Sequence, residues 1–174
     1  MITATTRLAT LPARTSPPAS PSVRPARAGD AAALHALSRP FVRSGALRER
    51  PFSLYARDAA DFLVVEAPDG TLDGCLGLRV HPADPVGDGG PTGVLYNFCV
   101  APHRQGRGVG VVLLRAALAT AAAQSLRALF TATTGNGGLF RRYGFAPSCA
   151  SLAPAAWANS LDPGRNSQVL AREI

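Results

Sequence analysis

The stretch Phe98 to Leu114, FCVAPHRQGRGVGVVLL, constrains this chain more than any other. A short apolar run, Phe98, Cys99 and Val100, leads to Pro102 and then into a turn containing Gly106, Gly108 and Gly110. From about Val109 to Ala123 the sequence is apolar and alanine-rich, a length that predicts a helix rather than a strand. A strand, a glycine-rich turn and a helix in series present several backbone N–H groups at the helix start, where an anion is stabilised. Glycine lets the backbone approach such a ligand closely, with no Cβ in the way. Arg104 and Arg107 add positive charge at the same place. The stretch reads as a site for a phosphorylated ligand; the bland alternative is a loop that only turns the chain.

The glycine spacing narrows the ligand. A P-loop needs GxxxxGK followed by Ser or Thr, and this chain contains no lysine. A dinucleotide fingerprint needs GxGxxG with an acidic residue roughly 20 residues further on. Here the pattern is Gln105-x-x-Gly108-x-Gly110, and the corresponding later region carries Arg127 but no acid. A Q/R-x-x-G-x-G/A turn after V-x-P resembles the pyrophosphate-binding motif of the GNAT superfamily of N-acetyltransferases, which implies acetyl-CoA as co-substrate.

Composition limits the other options. A chain of 174 residues favours one domain, and a 47% hydrophobic share supports a sizeable core. The net charge is +7, with all eighteen basic residues arginine. They are scattered and rarely alternate with aromatics, so nucleic acid is not expected as a partner. A basic balance suits a polyphosphorylated ligand and an acidic co-substrate. No apolar run approaches the ~20 residues of a membrane span. Cys75, Cys99 and Cys149 show no CxxC spacing, so neither a disulfide framework nor a metal site is expected, and the expected location is cytoplasmic.

Along the chain, residues 1–21 are Thr-, Ser-, Pro- and Ala-rich and read as a disordered tail, with a transit peptide as the alternative. The folded domain is expected over 22–174. Val23 to Arg27 reads as a strand, and Asp30 as the N-cap of a helix carrying Leu34, Leu37, Phe41 and Val42, with Pro40 ending or kinking it. Ser53 is expected to cap a short helix through Ala60. Asp61 to Glu66 and Leu72 to His81 pair through the Asp69-Gly70 turn. Residues 82–93 read as a loop and Val94 to Val100 as the strand feeding the phosphate turn. After the long helix come a strand from Leu126 to Thr133, a short helix opened by Asn136, a strand near Phe145, and a last strand from Gln168 to Glu173.

That order is similar to the acetyltransferase layout, an α/β (α+β) fold with a mixed, largely antiparallel sheet whose fourth and fifth strands splay to admit acetyl-CoA. The runs DFLVVE, GCLGLR, LFTATTGN, LFRRYGF and GRNSQVLAREI are further similar to the acetyltransferase domain of N-acetylglutamate synthases. The resemblance implies that Phe98 and Val100 pair through their main chain with the pantetheine arm. It implies that Gln105, Gly106, Arg107, Gly108, Val109 and Gly110 hold the pyrophosphate. Asn136 falls at a cofactor-side asparagine or is a plain helix cap, and Phe140 and Arg142 line the CoA exit.

The same resemblance implies acetylation of the α-amino group of an amino acid, L-glutamate, the first step of arginine synthesis. Other acceptors are another amine or a protein N-terminus, and a non-catalytic CoA-binding module is the reading from a different class. Arginine grips a carboxylate through two parallel N–H bonds. Arg50, Arg79 and Arg165, with Ser167, are the residues expected to hold the acceptor. Many acetyltransferases use an acid on the fourth strand as base and a tyrosine in the following helix as acid. Val94 stands where the synthases tend to have glutamate, and Phe140 occupies the tyrosine place. Tyr143 is the candidate proton donor, and Asn97, His81 or a water chain the candidate relay. Cys99 reads as an inert core thiol rather than a nucleophile. A homodimer is an expectation from the wider superfamily.

Overall fold

The computed structural model describes residues 22–83 and 90–174. The expected tail over 1–21 and the middle of the 82–93 loop lie outside them.

Seven strands form one sheet in the order β1-β2-β3-β4-β5-β7-β6. Strand β1 (Val23–Pro25) precedes helix α1 (Ala31–Arg43) and the short α2 (Phe52–Arg57). Strands β2 (Phe62–Glu66), β3 (Leu72–His81) and β4 (Thr92–Val100) then run antiparallel. Helix α3 (Val109–Ala123) carries the chain over to β5 (Ala128–Thr133), which lies parallel to β4. Helix α4 (Gly138–Arg142), the two-residue β6 (Ala146–Pro147), helix α5 (Ala155–Ala158) and β7 (Gln168–Glu173) complete the chain. β7 inserts antiparallel between β5 and β6.

Alternation along the strands splits the core between two faces. On one face Leu76, Leu78 and Leu95 pack under Val109, Leu113, Leu114 and Ala117 of α3. On the other, Phe62, Val64, Cys75 and Cys99 meet Leu34 of α1 and Tyr55 of α2. A third cluster, Val94, Phe130, Ala153 and Val169, joins β4, β5 and β7 to the C-terminal segment, with Trp157 and Leu161 against it.

Two features of β4 position the site. Its ladder with β5 pairs Thr92 with Ala128 and stops at Leu95 opposite Thr131. Beyond that point β4 continues to Val100 with no strand partner on that side among the described residues, the splay expected of the fold. The ladder with β3 also breaks: Cys75 faces Cys99 while Gly77 faces Tyr96, so two β4 residues oppose one on β3. Asn97 is one of them and takes φ 49°, a left-handed conformation rare outside glycine. The bulge turns Tyr96 and Asn97 to the same face and returns Phe98 and Val100 to the α3 face.

Some sequence expectations shift. Pro40 does not end α1, which runs on to Arg43. Proline inside a helix costs ~3 kcal/mol, and burying Leu34 completely recovers ~1.5–3 kcal/mol of that. Asp30 does precede α1, but its carboxylate accepts from Arg27 N–H at 2.7 Å and from both terminal nitrogens of Arg24. Ser53 is not a cap; α2 begins one residue earlier, with Pro51 at its N-cap. Helix α5 had no signal in the sequence, being four residues behind Pro154.

Candidate functional site

A cavity of about 460 Å³ opens where β4 and β5 part. Its floor is β4 from Val94 to Asn97 and its far wall is Ala132 and Thr134 after the β5 ladder. The linker 46–51 closes one side, and Trp157, Leu161, Arg165 and Ser167 of the C-terminal segment close the other. Six of the sequence-predicted residues therefore meet here: Arg50, Arg79, His81, Asn97, Arg165 and Ser167.

Their states differ. Arg79 is committed: its Nε donates to Asp61 at 3.0 Å, and Nη2 contacts both Asp58 and Asp61. Burial pulls the Arg79 pKa down, but Tyr96 and the two aspartates outweigh it and the net direction is up. The Asp58 carboxyl is held below its usual range, chiefly by a hydrogen bond from Arg57. Arg50 is the opposite case. It is half-buried, its guanidinium carbon lies 4.8 Å over the Tyr96 ring, and among the described residues it makes no ion pair. Burial draws its pKa down from the ordinary guanidinium value, which still leaves it charged. A half-buried cation over an aromatic face keeps N–H donors with which it can meet an anion.

Arg165 Nη2 donates to the carbonyls of Gly45 at 2.8 Å and Ala46 at 3.3 Å, and the residue lines the cavity. Arg48 bonds in the reverse direction, to Ser160 O at 2.8 Å. The two arginines tie the linker to the C-terminal segment across the cavity mouth.

Tyr96 is the shared centre of this arrangement. Its hydroxyl donates to Asp61 at 3.0 Å, and its ring lies against Arg50, Arg79 and the edge of Phe62. Burial, then the Asp61 charge, pushes the phenol well above its usual pKa, so it stays protonated. Tyr96, Asp58, Asp61 and Arg48 were missed by sequence reasoning. The signal available was the i, i+3 pair Asp58/Asp61 before a strand, which reads equally well as a solvated turn.

Asn97 is spent elsewhere. Its carboxamide accepts from Tyr55 Oη at 3.2 Å and donates to Ser38 Oγ at 2.9 Å, deep between β4 and the first two helices. These bonds hold the bulge, and only the rest of the residue reaches the cavity wall. Val94 is buried and brings no acid. His81, at the end of β3, lines the cavity, and burial together with the Arg79 charge lowers its pKa below 6.5. Cys75 and Cys99 lie with sulfurs 3.4 Å apart in the core, and their mutual contact and burial push the Cys75 thiol up. A thiol held neutral in this way is a poor nucleophile.

The glycine turn sits past the other end of the splay. Gly106 and Gly108 take φ 73° and 84°, and Gly108 is the N-cap of α3. Among the described residues the N–H groups of Gly106 and Gly108 have no backbone acceptor, as the anion-binding reading requires. Gln105 Nε2 donates to Val100 O at 3.1 Å, fastening the turn to β4. Phe98 stacks edge-on against Phe140 at 5.7 Å, and Phe140 against Phe145, so Phe140 is a buried wall. Arg142 is exposed on α4. Asn136 is not the cap of α4, which is Gly137; its Oδ1 accepts from Gly138 N–H at 2.9 Å, an Asx turn one residue ahead of the helix. Tyr143 packs on the α3-side core beyond α4 and is not brought to the cavity. Among the described residues no cluster of His, Cys, Asp or Glu is placed to hold a metal ion. No helix among them is long and apolar enough to cross a membrane.

Residues 31–145 match the profile of the Acetyltransferase (GNAT) family. The chain belongs to the GNAT family of acetyltransferases. It is 32% identical over 152 residues to the amino-acid acetyltransferase of Ralstonia nicotianae, covering 87% of this chain and 32% of that protein. It is 33% identical over 153 residues to the same-named protein of Ectopseudomonas mendocina, covering 88% and 34%. The chain thus spans about a third of the length of the curated relatives it matches. Among solved structures it is similar to N-acetylglutamate synthase from Neisseria gonorrhoeae complexed with coenzyme A and N-acetyl-glutamate. That match has a TM-score of 0.78 and 28% identity, over 91% of this chain and 36% of that one. A Mycobacterium tuberculosis protein in complex with CoA matches at TM-score 0.72 and 22% identity, over 88% and 99%, a likeness of fold.

Proposed function

We propose that this GNAT domain transfers acetyl from acetyl-CoA to the α-amino group of L-glutamate, the opening step of arginine synthesis. The observation that carries the acceptor reading is Arg50, a half-buried guanidinium with no anionic partner among the described residues, facing a cavity that opens on the splay. Arg165 supplies a second guanidinium lining the same cavity, so each carboxylate of a dicarboxylic amino acid has an arginine to meet. The amino-acid acetyltransferase relatives and the N-acetylglutamate synthase neighbour support the same acceptor class. A cytoplasmic setting and a homodimer belong to this reading.

On the cofactor side, the N–H groups of Gly106, Gly108, Val109 and Gly110 hold the pyrophosphate, those of Gln105 and Arg107 being turned onto Pro102 O and Arg104 O, and Phe98 to Val100 offer the unpaired β4 edge to the pantetheine arm. On the acceptor side, Arg50 and Arg165 orient the carboxylates so that the amine points at the splay. Orientation of this kind supplies a large share of the rate. With Val94 lacking a carboxylate, His81 takes the ammonium proton through water, because its lowered pKa keeps the imidazole neutral at pH 7. The amine nitrogen then attacks the thioester carbonyl, the C–S bond breaks, and the proton the nitrogen sheds in forming the amide passes through water to the leaving thiolate.

The test is release of free thiol from acetyl-CoA with a panel of L-amino acids, for the wild type, Arg50→Ala and Arg165→Ala. Losing a charged hydrogen-bonded contact worth about 1.5–3 kcal/mol raises the glutamate KM roughly 10- to 150-fold, with the acetyl-CoA KM unchanged. Turnover of a different amine but not glutamate overturns the acceptor reading. CoA binding with no turnover on any amine overturns the catalytic one.

A further inference from the structure

Asp73 is the one charged side chain among the described residues that is fully buried, at 2% exposure. It lies in β3, outside the acceptor cavity, and no part of the chemistry above uses it. A carboxylate taken out of water costs several kcal/mol unless a cation meets it. The cation is Arg104, whose Nε lies 2.9 Å from Asp73 Oδ2. That Nε–H is buried and aimed off the oxygen, so the contact is an ion pair rather than an aligned hydrogen bond. His103 Nε2 stands 3.9 Å from the other carboxylate oxygen. The main chain repeats the link, with Ala101 N–H donating to Asp73 O at 2.8 Å.

Arg104 immediately precedes the 105–110 turn, whose left-handed glycines have little conformational preference of their own. The turn is held from β4 by Gln105 on Val100 O, and from β3 by Arg104 on Asp73. We infer that Asp73 is a positioning residue for the cofactor turn: its buried charge, acting through Arg104, fixes the 105–110 N–H groups in the arrangement that receives the pyrophosphate. The inference rests on the reading of that turn as the CoA site.

The test is calorimetric titration of the full chain with CoA, for the wild type, Asp73→Asn, Arg104→Gln and the double variant. Asp73→Asn keeps the shape and removes the charge. A displacement of the turn near 1 Å weakens CoA roughly 10- to 100-fold. Steady-state kinetics should show the loss in the acetyl-CoA KM, with the glutamate KM unchanged. The double variant should lose no more than the larger single loss, because both act through one contact. Amide hydrogen exchange over 105–111 in the ligand-free protein should quicken in Asp73→Asn, a readout that needs neither turnover nor an identified acceptor. If the wild type does not bind CoA, the site reading itself falls. If it binds and Asp73→Asn binds equally well, or the two losses add, the positioning role is overturned. Should Asp73→Asn fail to fold, the double variant, which buries no lone charge, decides: wild-type CoA affinity and exchange there overturn the inference.

Discussion

Gly77→Ala tests the acceptor site with a single methyl group. Gly77 lies in β3 between Phe62 of β2 and Tyr96 of β4, and the Tyr96 ring folds over it. A Cβ there would lie 2.7 Å from both Cε1 and Cζ of that ring, about 0.7 Å inside ordinary contact. The ring has nowhere to retreat cheaply. The Phe62 ring stands against it, Arg50 and Arg79 lie within 4.8 and 5.2 Å of its centroid, and its hydroxyl is bound to Asp61. Overpacking of this kind costs ~1–3 kcal/mol, readable as a lowered urea midpoint. The functional effect follows from what Tyr96 carries. Shifting its ring moves the Arg50 guanidinium by a similar distance, and errors near 1 Å cost up to ~100-fold in a positioned reaction. The expected result is a glutamate KM raised roughly 10-fold or more, with CoA affinity by calorimetry unchanged. A variant with wild-type glutamate KM refutes the placement of Arg50 on the Tyr96 ring. A parallel loss of CoA affinity refutes the separation of the two halves of the site.

Two further outcomes follow. His81 has a lowered pKa, so the unfolded chain takes up its proton before the folded one does; its effect on stability is complete above about pH 6.5 and turns adverse as pH falls below that value. The same group should give kcat an acid limb below pH 6.5 that disappears in His81→Gln, and a limb that survives the substitution refutes its role as base. Gly108→Ala places a Cβ in open space but at φ 84°, so the cost is conformational, ~1–2 kcal/mol. Chemical denaturation reads that loss, and calorimetry should show CoA binding weakened with it.

Local sequence determined what local physics controls. The 105–110 turn, α3 from Val109 to Ala123, and the strands Leu72–His81 and Gln168–Glu173 follow from apolar periodicity, strand and helix length, and glycines where φ must be positive. The arginines that meet at the cavity were legible through resemblance, since spacing alone does not bring Arg50, Arg79 and Arg165 together. What only the tertiary structure decided is the state of each side chain. Arg79 is neutralised by aspartates 18 and 21 residues upstream, whereas Arg50 meets only a ring among the described residues. Asn97 looked available for proton transfer, but the bulge that gives it φ 49° turns its amide onto Tyr55 and Ser38. Nothing in the sequence marks Asp73; its burial and its pairing with Arg104 come from the segment that follows β4. Periodicity records which face a residue takes; whether a charge on that face is paired depends on chains far away in sequence, and that pairing is settled by packing alone.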